Sequence, residues 1–236
     1  MYFYVPTKIY SERDCVKKYA SQWAGLGKKA LIVTGKSSAH NGALKDVTAA
    51  LKEQKTEYIV FDETEVNPSV EQGMHLRGLG LLEKVDFVIG IGGGSPMDAA
   101  KAAALMIAQP DKGDDTALPV VEVPTTCGTG SEATPYAILT VHERRIKASL
   151  PHRVFPVFSL VDGKYLLGIG KDTLIDTAVD ALGHLVESYV NVNATPFTHM
   201  LCEYGMHIWN DNKKVLIGAN RTVEECDALL LASTLA

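Results

Sequence analysis

The sequence is poor in the features that mark several functional classes. Its four cysteines (Cys15, Cys127, Cys202 and Cys226) are scattered with no Cys-x-x-Cys pair, which excludes a disulfide framework or a zinc ribbon as the organising device. No run of about 18 apolar residues occurs, so no membrane-spanning helix is expected. There is no polybasic stretch, and a net charge of -5 is the wrong sign for a surface that grips phosphates, so nucleic acid and membrane are both excluded as expected partners. The opening residues MYFYVPTKIY lack the charged start and apolar core of a signal peptide. With unpaired cysteines, this points to the reducing cytoplasm. Internal repeats and low-complexity segments are also missing. What is present, 46% hydrophobic and 22% charged residues in a chain of 236, is the composition of a globular protein with a real core.

The first two thirds alternate short apolar runs with helical patterns. Strands are predicted at 28–35, 56–62, 85–94 and 118–126, and helices at 41–54, 69–84 and 95–108. Strands without polar alternation, separated by helices, predict an α/β fold with a doubly wound, Rossmann-like parallel sheet covered on both faces. Its ligand would lie at the carboxyl ends of the strands. Three more short strands, AILTV, RIKASL and VFSLVD, are expected to follow as a ladder. From Lys171 onward the chain reads as helix after helix, which places a boundary in GKYLLGIG between a dinucleotide-binding domain, 1–166, and an all-helical domain, 167–236. The last helical pattern stops at Ala236 without a Gly, Asn or Pro stop signal, so the helical domain is expected to be incomplete.

Two polar loops fall at predicted strand ends. In the first, Gly92-Gly93-Gly94-Ser95-Pro96-Met97-Asp98, glycines permit positive φ and let backbone N–H groups approach a phosphate. Ser95 is expected to cap the next helix, with Pro96 at its first position and Asp98 in its first turn, so that a pyrophosphate would meet amides and the helix dipole together. The third glycine of the usual dinucleotide fingerprint is missing, and a tight, well-capped strand–helix turn would look the same. The second loop, Pro124 to Glu132, gathers hydroxyls and glycines at the same sheet edge. Further on, Asp180 and His184 stand four residues apart, one helical turn, where a carboxylate and an imidazole can share a divalent metal. An ordinary surface pair has the same spacing.

Three longer segments, GGGSPMDAAKA, VPTTCGTGSEATPYAILT and DTAVDALGHLVESY, resemble the iron-containing (group III) alcohol dehydrogenase family in their order and approximate spacing. The likeness is nearest to members acting on butanol-type or propanediol-type alcohols. The resemblance implies a Rossmann-like domain followed by a helical one, with the active site between them, and a homodimer or larger assembly. It implies that Gly92, Gly93, Gly94 and Ser95 hold the pyrophosphate with Asp98 beside it, and that Asn67 also approaches the cofactor. Thr125 and Thr126 would serve the adenine–ribose side, Thr129 and Thr134 would line the nucleotide, and Lys147, one residue off the expected spacing, would bond a ribose hydroxyl. Asp180 and His184 would be the first two ligands of Fe2+, with Zn2+ as the alternative.

Two departures from the family pattern matter. Many NAD-using members carry an aspartate where this chain has Gly35; its absence, with Lys36, Ser37 and Ser38 following, predicts NADP over NAD. The family's third and fourth metal ligands are histidines beyond the segment LASTLA, and His199 and His207 fall too early to replace them. The expected activity is metal-assisted hydride transfer between NADP(H) and a small primary alcohol or aldehyde. Alternatives are a relative of glycerol dehydrogenase or dehydroquinate synthase, and a nucleotide-binding fragment without catalysis.

Overall fold

The computed structural model describes residues 3–108, 116–218 and 220–236. In chain order the elements are β1 (Lys8–Ser11), α1 (Cys15–Lys18), α2 (Ala20–Trp23), β2 (Lys29–Thr34), α3 (Ser38–Asn41), α4 (Ala43–Glu53), β3 (Glu57–Phe61), α5 (Val70–Glu83), β4 (Phe87–Gly92) and α6 (Gly94–Ala108). There follow β5 (Val120–Pro124), β6 (Ile138–Val141), β7 (Ile146–Ser149), β8 (Phe158–Val161), α7 (Lys171–Val190), α8 (Pro196–Asn212) and α9 (Val223–Leu235). Six strands form one parallel sheet in the order β1-β8-β5-β4-β2-β3. The wholly buried runs FVIGIG and VVEVP occupy its centre, whereas the half-exposed β1 and β3 form its edges.

Alternating side chains feed two separate cores, as the two-residue period of a strand requires. Ile32, Ile89 and Val121 meet Val16, Trp23, Val47 and Leu51 on one face. Leu31, Val88 and Val120 meet Leu76 and the alanines of α6 on the other. The chain leaves β2 outward to β3 and leaves β4 in the opposite direction to β5, so the order reverses between β2 and β4. Ligands of open α/β sheets sit in the crevice above such a reversal.

The three late strands do not form one ladder. β8 enters the main sheet between β5 and β1, while β6 and β7 pair antiparallel as a separate hairpin. The strand β1 escapes sequence reading because its four residues, KIYS, mix polar and apolar side chains on an exposed edge. The helical part follows its sequence signals closely. Capping boxes at Thr195/Thr198 and Thr222/Glu225 start α8 and α9, and Pro196 occupies the first turn of α8. These helices dock on the sheet through Cys127 and Val161, which share a core with Leu174, Ala178, Leu229 and Leu230. At the join, Lys164 Nζ lies 2.6 Å from Asp14, 2.8 Å from Asp46 and 3.4 Å from the buried Asp162. Arg221 donates to the carbonyls of Leu166 and Ile169, fixing the connector between the layers. Among the described residues no helix is long and apolar enough to cross a membrane.

A single charged residue breaks the apolar pattern of the two central strands. Glu122 of β5 is fully buried, and neither carboxyl oxygen has a hydrogen-bond partner. It lies over Gly90 of the neighbouring strand, where an added Cβ would run into its carboxyl and come within 3.0 Å of Ala100 Cβ. Burial pushes this carboxyl well above the usual range, although Lys101 nearby opposes the shift. A carboxyl whose pKa is raised by folding contributes most below its unfolded value and loses that contribution as pH rises toward its folded value. Glu122→Gln is therefore expected to flatten the pH dependence of stability. Across pH 5 to 9, wild type should lose stability relative to the variant as pH rises. Parallel urea-unfolding profiles for the two proteins across that range would rule out a protonated Glu122.

Candidate nucleotide cleft and metal half-site

The turn after β4 is built for close approach. Gly92 has φ +149, a region that favours glycine, and an added Cβ there would lie 2.7 Å from Pro96 Cγ. Added Cβ atoms on Gly93 and Gly94 would come within 3.0 Å of Thr126 Oγ1 and 2.8 Å of Thr129 Cγ2. The Thr125 N–H donates to the Gly92 carbonyl at 2.8 Å, locking the second polar loop against the first.

Helix capping differs from the sequence expectation. The helix begins at Gly94, one residue early, so Ser95 lies inside its first turn and caps nothing. The Ser95 hydroxyl instead accepts from the Asn67 N–H at 3.0 Å. Asp98 falls beyond the first turn, and its carboxylate accepts from Ser131 Oγ at 2.6 Å and from the Ile138 N–H at 2.9 Å. Asn67 itself is held at φ 57. Its carbonyl accepts from Thr140 Oγ1 at 3.1 Å and its side-chain oxygen from Lys147 Nζ at 2.7 Å. The β6–β7 register sets Lys147 opposite Thr140 and so carries it over the cleft.

The structure thereby brings Asn67, Gly94, Ser95, Asp98, Thr129 and Lys147 around one hollow of about 210 Å³. Ser37, Thr125 and Thr126 line a second hollow of about 290 Å³, with His40, Asn41, Tyr165, Thr173 and the Gly168–Gly170 connector. Gly93 and Gly94 lie between the two, one against Thr126 and the other against Thr129. Of the residues expected at the cofactor, Gly35, Ser38, Gly92, Gly93 and Thr134 line neither hollow. Ser38 is buried, its hydroxyl enclosed between Thr34 Oγ1 (2.6 Å) and the Gly35 carbonyl (3.1 Å), so it closes the turn rather than facing a ligand. Thr134 lines a separate apolar hollow with Phe3, Phe197 and Leu231. Gly35 needs no special backbone angle, and an added Cβ would meet only the Thr64 carbonyl, at 3.7 Å.

Sequence reading missed His40, Asn41, Thr140 and Tyr165. Thr140 could be found only through the hairpin register. Tyr165 carries no local signal, since its ring is buried and its hydroxyl donates to Asp46 at 3.0 Å. Cys127, inside the second polar loop, is buried. Burial pushes its thiol up to about 11, even with Thr177 Oγ1 3.6 Å away.

Asp180 and His184 project from the middle of α7, with Asp180 Oδ1 3.6 Å from His184 Nε2. Two donors each about 2.1 Å from one ion can stand up to about 4 Å apart, so the pair fits one edge of a coordination shell. His184 Nδ1 is 4.0 Å from Glu187, which can steady the ring. Among the described residues no group of three or more His, Cys, Asp or Glu side chains could hold a metal. His199 instead contacts the Tyr189 carbonyl at 3.0 Å, and His207 is exposed. Asp180 sits against the second polar loop at Gly128, where an added Cβ would lie 3.1 Å from Asp180 Oδ2 and 3.0 Å from the Thr177 carbonyl.

Comparison with known proteins identifies the family. The sequence pattern described as iron-containing alcohol dehydrogenase matches residues 6–163, and that of the C-terminal part of the Fe-containing alcohol dehydrogenase family matches residues 174–236. The chain is 29% identical to NAD-dependent methanol dehydrogenase of Bacillus methanolicus, covering 99% of this chain and 64% of that protein. It is 31% identical to alcohol dehydrogenase 4 of Schizosaccharomyces pombe, covering 99% and 58%. An iron-containing alcohol dehydrogenase structure from Thermotoga maritima superposes with TM-score 0.92 at 39% identity, covering 99% of this chain and 67% of that one. An alcohol dehydrogenase from Oenococcus oeni gives TM-score 0.93 at 27% identity, covering 99% and 64%. The chain spans 58 to 64% of the length of these curated relatives. With both halves matched in sequence and the fold matched in space, the chain belongs to the iron-containing alcohol dehydrogenase family.

Proposed function

We propose that the chain binds NADP(H) in the two hollows flanking Gly93 and Gly94, and serves metal-assisted hydride transfer between that cofactor and a small primary alcohol or aldehyde. The observation that carries this reading is the close approach of Gly128 to Asp180, which brings one of the two candidate metal donors against the loop whose threonines line both hollows. The backbone from Gly92 to Ser95 serves the pyrophosphate, Asp98, Asn67 and Lys147 the ribose and nicotinamide side, and Thr125 and Thr126 the adenine side. When bound, a divalent ion, Fe2+ or Zn2+, supplies Lewis-acid polarisation of the substrate oxygen. Asp180 and His184 provide two of its donors, and the rest of the shell comes from other ligands. The chain's own contribution is alignment: it fixes the cofactor against the metal edge. We read the chain as a nucleotide unit, 1–166, and a helical unit, 167–236, with the site at their junction, acting in the cytoplasm as a homodimer or larger assembly.

The preference for NADP rests on Gly35, which sets no carboxylate against a 2′-phosphate, and on Ser37 and Lys36 beside it. The NAD dependence in the name of the Bacillus methanolicus relative weighs against it. A second reading, nucleotide binding without turnover, is favoured by the finding of only two metal donors among the described residues.

Fluorescence titration is expected to give tighter binding of NADPH than NADH, and Gly35→Asp, for which there is space, should weaken NADPH roughly 10- to 100-fold while sparing NADH. Equal affinities in the wild-type chain would overturn the NADP preference. Metal analysis after Fe2+ or Zn2+ loading should show retained metal that is lost in Asp180→Asn and His184→Ala. Retention in both variants would place the metal elsewhere. Butanal reduction with NADPH by the loaded chain separates the two readings: turnover supports the enzyme, and cofactor binding without turnover supports the second.

A further inference from the structure

We infer that Lys101 is the positioning residue of the nucleotide cleft: its buried ammonium ties Asp98 and the segment that follows Thr129 to helix α6. The inference rests on the proposed cofactor site and adds a residue to it. Lys101 lies among the inward-facing alanines of α6 and is 0% exposed. Its Nζ donates to the Ser131 carbonyl at 2.9 Å, to Ser131 Oγ at 2.7 Å and to the Thr134 carbonyl at 3.2 Å. It also lies 3.6 Å from Asp98 Oδ1. The Ser131 hydroxyl passes the connection on by donating to the same Asp98 oxygen, and the other Asp98 oxygen receives the Ile138 N–H. One ammonium thus holds three parts of the cleft wall: α6, the second polar loop and the start of β6.

An ammonium in a protein interior carries a large desolvation cost unless its hydrogen bonds and counter-charge are well placed. A methionine of similar length would fill the space without that cost. What Met cannot do is hold two backbone carbonyls and a hydroxyl in a fixed relation to Asp98, which faces the hollow. Asp98, 3.6 Å away, is the counter-charge that favours the charged amine. Burial pulls Lys101 below its ordinary value, against the charge of Asp98.

Lys101→Met is expected to raise the NADPH dissociation constant at least tenfold and to speed amide hydrogen exchange across residues 129–138, leaving β4 protected. Because Lys101 acts through Asp98, its effect on affinity should overlap with that of Asp98→Asn rather than add to it. Additive effects in the double variant would return Lys101 to a general core role. Should Lys101→Met fail to fold, Ser131→Ala removes the shared hydroxyl while keeping both charges, and should loosen the same segment and weaken NADPH at least threefold. Unchanged exchange across 129–138 in whichever variant folds would overturn the inference. A wild-type chain that binds neither NADPH nor NADH would refute the cofactor reading separately, while the exchange measurement still decides the anchoring role of Lys101.

Discussion

Two stretches of backbone, one leaving β4 and one leaving β5, run so close that only hydrogen atoms fit between parts of them. Gly93 and Gly94 face Thr126 and Thr129 across this contact, and the Thr125 N–H closes it from the other side. The site depends on that approach. It divides the cleft into two hollows, exposes the start of α6 between them, and brings the second polar loop far enough forward to touch α7 at Gly128. A sheet whose order reverses between β2 and β4 supplies the opening, and the glycines determine its shape.

Charge is arranged around the contact with little waste. Above it, Lys147 and Asn67 join the hairpin to the loop after β3. Beneath it lies an enclosure with one amine and several carboxyls, of which Glu122 has no hydrogen-bond partner at all. Behind it, Lys164 gathers three aspartates at the join between sheet and helices. Lys101 is sealed from solvent and the Lys164 cluster is partly so, which makes these charges stiff. An arrangement of this kind fixes geometry more than it adds stability.

Much of this was legible in the sequence, for physical reasons. Central strands are unbroken apolar runs, and the late helices open with Thr-based capping boxes, so both announce themselves locally. Gly92 to Gly94 announce a turn because no other residue tolerates that approach. What stayed hidden depends on distant pairing. The short edge strand β1 is defined only by β8, and Lys147 reaches the cleft only through the hairpin register. Ser95 and Ser38 show the same limit from the other side: each has the right chemistry for its expected role, but partners far away in sequence or hidden in a turn take the hydroxyl.

The open space at Gly35 has a consequence for how such a protein can diverge. The backbone there is ordinary, and the nearest obstacle to a side chain is a carbonyl at van der Waals distance. Glycine and aspartate codons differ by one base. A carboxylate can therefore appear or vanish at this corner in a single genetic step, with no compensating change in the sheet. Lineages carrying this fold are free to drift in the charge they present at the end of β2, while Gly93 and Gly94, pressed against Thr126 and Thr129, are not.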